Sequence, residues 1–100
     1  MTGMNLTSAA FTSGQPISKK YTCDGENIHP PLDISDIPSS VVSLALIMDD
    51  PDAPNGTWIH WTVWNIDPEP GHIAEGAVPA GAVEGTTSFG RIGYGGPCPP

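Results

Sequence analysis

The stretch Asp49-Asp50-Pro51-Asp52-Ala53-Pro54-Asn55-Gly56-Thr57-Trp58-Ile59-His60 places three carboxylates and one imidazole within twelve consecutive positions. Such a set suits three chemistries: holding a small polar ligand, coordinating a divalent cation, or acid–base work with His60 as general base and an aspartate orienting it. Asp50 and Asp52 flank Pro51, and Pro54 follows Ala53, so both carboxylates ride on backbone with fixed φ angles. Rigid mounting lowers the entropy lost on binding. A bare Asp-Pro-Asp also fits a plain acidic turn whose aspartates cap backbone N–H groups, and His60 is what favours a site. The spacing matches no established metal motif, so no metal is expected. No Gly-x-Ser-x-Gly is present, and neither Ser88 nor Cys98 has a context that marks an activated nucleophile. No catalytic residue is assigned and no cofactor is expected. His29 and His72 fall in loops and read as solvated.

Two apolar runs must position this set. Val41 to Met48 is rich in β-formers, and Trp58 to Ile66 is aromatic and β-branched. Paired as neighbouring strands, they hold the acidic turn at one end of a sheet with His60 close to Asp50 and Asp52. The three side chains are predicted to converge at the mouth of a small cavity. Alternation puts Trp58, His60, Thr62, Trp64 and Ile66 on one face and Ile59, Trp61, Val63 and Asn65 on the other. Both faces carry apolar residues, which predicts a central strand covered on both sides. A buried imidazole needs a hydrogen-bond partner. A neighbouring aspartate would hold it towards its charged form, and a backbone partner in the core is the alternative. Trp61 or Trp64 is predicted to lie in the core, and Trp58 to be partly exposed at the rim.

The remaining chain supports a single all-β domain over residues 1–100. Twelve prolines and twelve glycines exclude long helices, while 38% hydrophobic residues is too many for disorder. Only Lys19, Lys20 and Arg91 offset eleven acidic residues, giving a formal charge of −8. That leaves no basic patch for nucleic acid. No run approaches the ~20 apolar residues of a membrane span, and residues 1–5 lack the pattern of a signal peptide, so the cytoplasm is the expected compartment. Cys23 and Cys98 read as reduced structural thiols; a disulfide between them requires Cα atoms within about 7 Å. Met4 to Phe11 reads as a first edge strand, Ile17 to Tyr21 as a weak second strand, Cys23 to Pro31 as loop, and Leu32 to Ile34 as a short strand. Ile73 to Glu84 reads as a long surface loop with only small apolar anchors. From Phe89 to Pro100 glycines interleave with aromatics, which brings backbone close to a ligand or another strand.

At these residues the sequence resembles the phosphatidylethanolamine-binding protein family in its bacterial and archaeal branch. Tyr21-Thr22-Cys23-Asp24-Gly25 with Asn27 and Pro30-Pro31-Leu32 is similar to one segment of the family. Ser43 to Pro54 resembles its Ser-Leu-Ala-Leu-Ile-Met-Asp-Asp-Pro-Asp-Ala-Pro strand and turn. Trp58-Ile59-His60-Trp61 with Asn65-Ile66 resembles the next strand, and Gly93 to Pro100 the start of its second signature. The resemblance implies a β-sandwich with a central sheet, a smaller antiparallel sheet and an anion-accepting cavity. Its ligand-binding positions match Asp50, Asp52, His60, Gly96 and Pro97, with Pro54 and Trp58 shaping the rim. His29 stands where the family has serine. Relatives continue past Pro-Pro into a His-Arg-Tyr strand, so the domain is expected to be incomplete at its C-terminus and to hold an anion poorly alone.

Three functions compete. The leading reading is a binding module that takes a small anion or phosphorylated headgroup, such as phosphate or a phospholipid headgroup, in the Asp50/Asp52/His60 cavity. The second is an interaction protein that inhibits a serine protease or modulates a kinase, and the third a weak His/Asp-dependent hydrolase. The expected partners are a small anionic ligand, a protease or kinase, and a second copy of the chain.

Overall fold

The computed structural model describes residues 4–98. Six strands form two antiparallel sheets: β1 (Asn5–Thr7), β2 (Leu32–Ser35) and β5 (His72–Ile73) in the order β1-β2-β5, and β3 (Leu44–Ala53), β4 (Gly56–Ile66) and β6 (Val83–Glu84) in the order β3-β4-β6. The long β3–β4 hairpin is the frame of the molecule. Pro54 and Asn55 form its turn, for which proline's fixed φ is suited, and Gly56 at φ 106° takes a conformation that side chains resist. The strand runs further than expected, because Asp49 to Ala53 continues β3 rather than forming the turn, while residues 41–43 precede it.

Three bulges interrupt this ladder. Near the turn, β3 carries the extra residue between Asp50, opposite Trp58, and Ala53, opposite Gly56. In the middle, Met48 faces Trp61 and Asp49 faces Ile59, so His60 is the residue without an opposite. At the far end Leu46 faces Val63 and Leu44 faces Ile66, with Asn65 in a left-handed conformation at φ 59°. That bulge breaks the alternation and turns Ile66 to the same side as Trp61 and Val63, which explains why all three are buried. Trp64 and Trp58 are 45% and 37% exposed. β4 is therefore central in its sheet, but one of its faces is only partly covered, unlike the two-sided burial expected.

The core lies between the sheets, where Leu32 and Ile73 meet Leu44, Trp61, Val63 and Ile66. Trp61 is fully buried, and its indole N–H donates to Glu84 Oε2 at 2.7 Å, which ties β6 to β4. Ile73 corrects the reading of residues 73–84 as a loop with small anchors only. It is 2% exposed and starts a segment that gives β5 at one end and β6 at the other.

Other expectations change too. The weak strand over Ile17–Tyr21 is a 3-10 turn (Lys19–Tyr21), begun where Ser18 Oγ accepts from the Lys20 N–H. His29 is buried, not solvated. Its ring stacks on Trp61 with centroids 4.3 Å apart, and its nitrogens lie 2.9 and 2.7 Å from the carbonyl oxygens of Pro30 and Ala77. His72 is exposed and paired with Asp33 at 2.7 Å. Cys23 and Cys98 are not free thiols but a disulfide with Cα atoms 5.4 Å apart. Cys23 N–H donating to Pro97 O at 3.0 Å brings the two segments to that distance. Among the described residues no helix is long and apolar enough to cross a membrane.

Candidate functional site

The bulge at His60 sets the geometry. An extra residue in a ladder re-aims its side chain and loosens local pairing, and the segment 85–95 takes up the backbone groups so exposed. Gly95 N–H donates to His60 O at 2.9 Å, and Ser88 N–H to Ile59 O at 3.0 Å. In return, the Ile59 N–H donates to Ser88 Oγ at 2.8 Å. The imidazole is 7% exposed, and its Nδ1 lies 2.7 Å from Gly95 O. A carbonyl only accepts, so Nδ1 carries the proton. The partner is backbone rather than the aspartate expected. Among the described residues Nε2 has no partner; it offers a lone pair when the ring is neutral and an N–H when the ring is charged.

His60 lines a cleft of about 420 Å³ with Asp50, Ala53, Pro54, Trp58, Phe89, Pro97 and Cys98. Trp58 meets Phe89 edge-on at 5.2 Å, and Phe89 lies 5.8 Å from the His60 ring. The walls are thus mostly apolar around one carboxylate and one imidazole. Size does not single this cleft out. A larger one of about 530 Å³, bounded by residues from Leu6 to Gly14 and by Leu32, has no titratable side chain.

Asp50, His60, Pro54, Trp58 and Pro97 come together here, while Asp52 and Gly96 do not line the cleft. Asp52 sits in the β3 bulge and donates its N–H to Asp50 Oδ1 at 2.9 Å, orienting the carboxylate from behind. Gly96 is buried in the wall, its N–H on Asn27 Oδ1 at 2.8 Å. A Cβ on Gly96 would run into the Tyr21 carbonyl oxygen, so the close approach anticipated for the glycine-rich run is made here to the 3-10 turn, not to a strand. Phe89, Ala53 and Cys98 were not assigned from sequence. The signal for Phe89 was its place in the aromatic and glycine run; nothing local marks the other two.

Behind the wall, Tyr94 O–H donates to Tyr21 O at 2.7 Å, and burial pushes the Tyr94 hydroxyl pKa up to about 12. Tyr21 in turn donates its O–H to Glu75 Oε1 at 2.6 Å, and Lys20 pairs with Glu75 at 2.6 Å. No lysine or arginine lines the cleft; Arg91 lines the adjoining one, which shares Phe89 and Cys98. A bound anion must therefore draw its positive charge from a protonated His60, and a bound cation from Asp50. Of the two side chains weighed and not assigned as nucleophiles, Ser88 Oγ accepts from the Ile59 N–H and Cys98 is in the disulfide.

Residues 7–100 match the model of the phosphatidylethanolamine-binding protein family. A UPF0098 protein of Chlamydia muridarum is 54% identical over 102 residues, covering 97% of this chain and 67% of the relative. Another, of Methanothermobacter thermautotrophicus, is 48% identical with 97% and 68% covered. Among solved structures, the PEBP homologue CT736 of Chlamydia trachomatis superposes with a TM-score of 0.91 at 51% identity, over 97% of this chain and 66% of that one. Escherichia coli YbcL, described as a new member of the mammalian PEBP family, gives 0.90 at 34% identity, over 97% and 67%. The chain spans about two thirds of the length of these proteins.

Proposed function

Because the chain belongs to the phosphatidylethanolamine-binding protein family, we propose that the Asp50–His60 cleft binds a small anion or a phosphorylated headgroup. The observation that carries this reading is the anchored imidazole: Nδ1 is fixed by Gly95 O, so Nε2 is the atom left for a ligand. When the ring is protonated, Nε2–H donates a charge-assisted hydrogen bond to a phosphate oxygen. Asp50 would repel that phosphate unless a cationic group accompanies it. A zwitterion with phosphate and ammonium on neighbouring carbons satisfies both, with Trp58 and Phe89 covering the two-carbon link between them. Free phosphate lacks the ammonium and should bind more weakly.

Calorimetric or NMR titration of phosphoethanolamine and inorganic phosphate tests this. Phosphoethanolamine is expected to bind more tightly than phosphate. His60→Ala should cost at least tenfold in affinity, in line with the ~1.5–3 kcal/mol of a hydrogen bond to a charged group. An unchanged affinity in His60→Ala refutes the assignment of this cleft.

A further inference from the structure

One wall of the cleft is a strap, residues 94–98, and its attachments are unequal along its length. Gly95 is held twice by His60, through its N–H on His60 O and its carbonyl on Nδ1. Gly96 is held by Asn27. Pro97 and Cys98, the two strap residues that face the cleft, hang on one residue of the neighbouring loop: Cys23 donates its N–H to Pro97 O and its sulfur to the disulfide. Proline has no N–H with which to make a further backbone bond.

That loop is a fixed post. Thr22 Oγ1 donates to Lys19 O at 2.7 Å and accepts the Asp24 N–H at 3.2 Å, while Gly25 N–H bonds Thr22 O and Asn27 N–H bonds Lys20 O. Gly25 packs so closely on the Lys19 carbonyl that no Cβ fits there. Cys23 and Cys98 are both exposed, so a dissolved thiol reaches the sulfurs without unfolding of the sheets.

We propose that the Cys23–Cys98 disulfide is a redox gate on the Asp50–His60 cleft. This rests on the binding reading above and adds its regulation. A dithiol reductant attacks one sulfur as thiolate, forming a mixed disulfide and releasing the other cysteine. Its second thiolate then attacks the reductant sulfur of the mixed disulfide and displaces the protein cysteine, so that two electrons and two protons pass to the protein and the reductant leaves as its own disulfide. Cys98 becomes a free thiol, and Pro97 keeps a single hydrogen bond to the post. The wall opposite Asp50 and Trp58 is released while His60 stays anchored to Gly95. The oxidised protein presents a closed cleft that holds its ligand, and the reduced protein an open one that holds it weakly.

The test measures the 100-residue chain in oxidised form, in dithiothreitol, and as the Cys23→Ser/Cys98→Ser variant. Phosphoethanolamine affinity is titrated and amide hydrogen exchange is followed residue by residue. Reduction and the double variant are each expected to weaken binding by about tenfold or more, a coupling of ordinary size. Both should speed exchange at the amides of residues 23 and 96, which hydrogen-bond across the strap, while Leu46–Met48 and Trp61–Val63 keep their protection, and reoxidation should restore both readings. Equal affinity and exchange in all forms overturns the gate. So does loss of protection throughout β3 and β4, which makes the disulfide a staple of the whole fold. If phosphoethanolamine binds no form, the binding reading falls; the gate then stands if the strap alone loosens on reduction, and falls with it otherwise.

Discussion

The two long strands share one ladder but have very different outer edges. Beyond β4 the chain has built a second layer of attachment: β6 pairs at Val63 and Trp64, Gly85 N–H bonds Thr62 O, and Ser88 and Gly95 take the carbonyls of Ile59 and His60. Beyond β3, no strand pairs among the described residues. Ile47 there is 66% exposed, and a groove of about 290 Å³ runs beside it, lined by Leu6, Phe11, Ile17, Leu46 and Met48 among others. The candidate site sits on the closed edge. A bulge can hold an imidazole in one orientation only where neighbouring backbone takes up the groups that the bulge leaves unpaired, and the open edge offers no such support.

The residue common to both edges is Trp61, and removing it gives the largest expected effect. Its ring is stacked by His29, edged by Tyr94 at 6.1 Å and hydrogen-bonded to Glu84, so it joins the loop at 29, the strap and β6. Trp61→Ala is expected to cost about 3–5 kcal/mol from the cavity alone. Chemical denaturation measures it. A loss below about 0.5 kcal/mol, the range of ordinary surface changes, would mean that the closed edge does not depend on this contact.

The open edge should act in the opposite way, with much effect on association and little on stability. Unpaired N–H and C=O groups beside exposed apolar side chains recruit another strand, and a second copy of the chain supplies one. Concentration-dependent self-association is expected in size-exclusion chromatography with light scattering. Ile47→Lys should suppress it, with a change in stability within about 0.5 kcal/mol, as for other exposed positions. A wild-type chain that stays monomeric at all concentrations refutes an assembling edge.

The same contrast marks what could be read from residues. β3 and β4 were legible because long apolar and β-branched runs have few alternatives, and Asp50 with His60 was legible because rigid carboxylates beside an imidazole are rare in a strand and turn. The register was not. Whether His60 faces Asp50 depends on a bulge, and bulges are decided by pairing across the ladder and by what 85–95 does to the outer edge. The partner of His60 is a carbonyl, which every residue has and no composition marks. His29 looked like a loop histidine because its burial comes from Trp61, 32 positions away along the chain. The disulfide joins segments 75 residues apart, and β5 and β6 are two residues each, too short to leave a periodic trace.

The smallest effect expected lies behind the strap, where Lys20, Tyr21 and Glu75 meet at the surface. Lys20 and then Tyr21, both hydrogen-bonded to Glu75, hold its carboxyl below the ordinary carboxylate range. Glu75 in turn holds the Lys20 ammonium and the Tyr21 hydroxyl protonated to higher pH than usual. The signs follow from linkage. A carboxyl lowered on folding contributes stability that is present above its unfolded value and is lost as pH falls through its folded one, because the unfolded chain takes up the proton first. The raised Lys20 and Tyr21 contribute at neutral pH and lose their contribution as pH rises through their folded values. Solvent screens the group, so the effect is modest and weakens with salt. Glu75→Gln should therefore melt slightly below the wild type at neutral pH and low salt, with the gap closing on the acid side as Glu75 protonates and again at strongly alkaline pH. Melting curves across pH measure the gap. If it stays constant, Glu75 acts through packing and its charge contributes nothing to holding Tyr21 behind the strap.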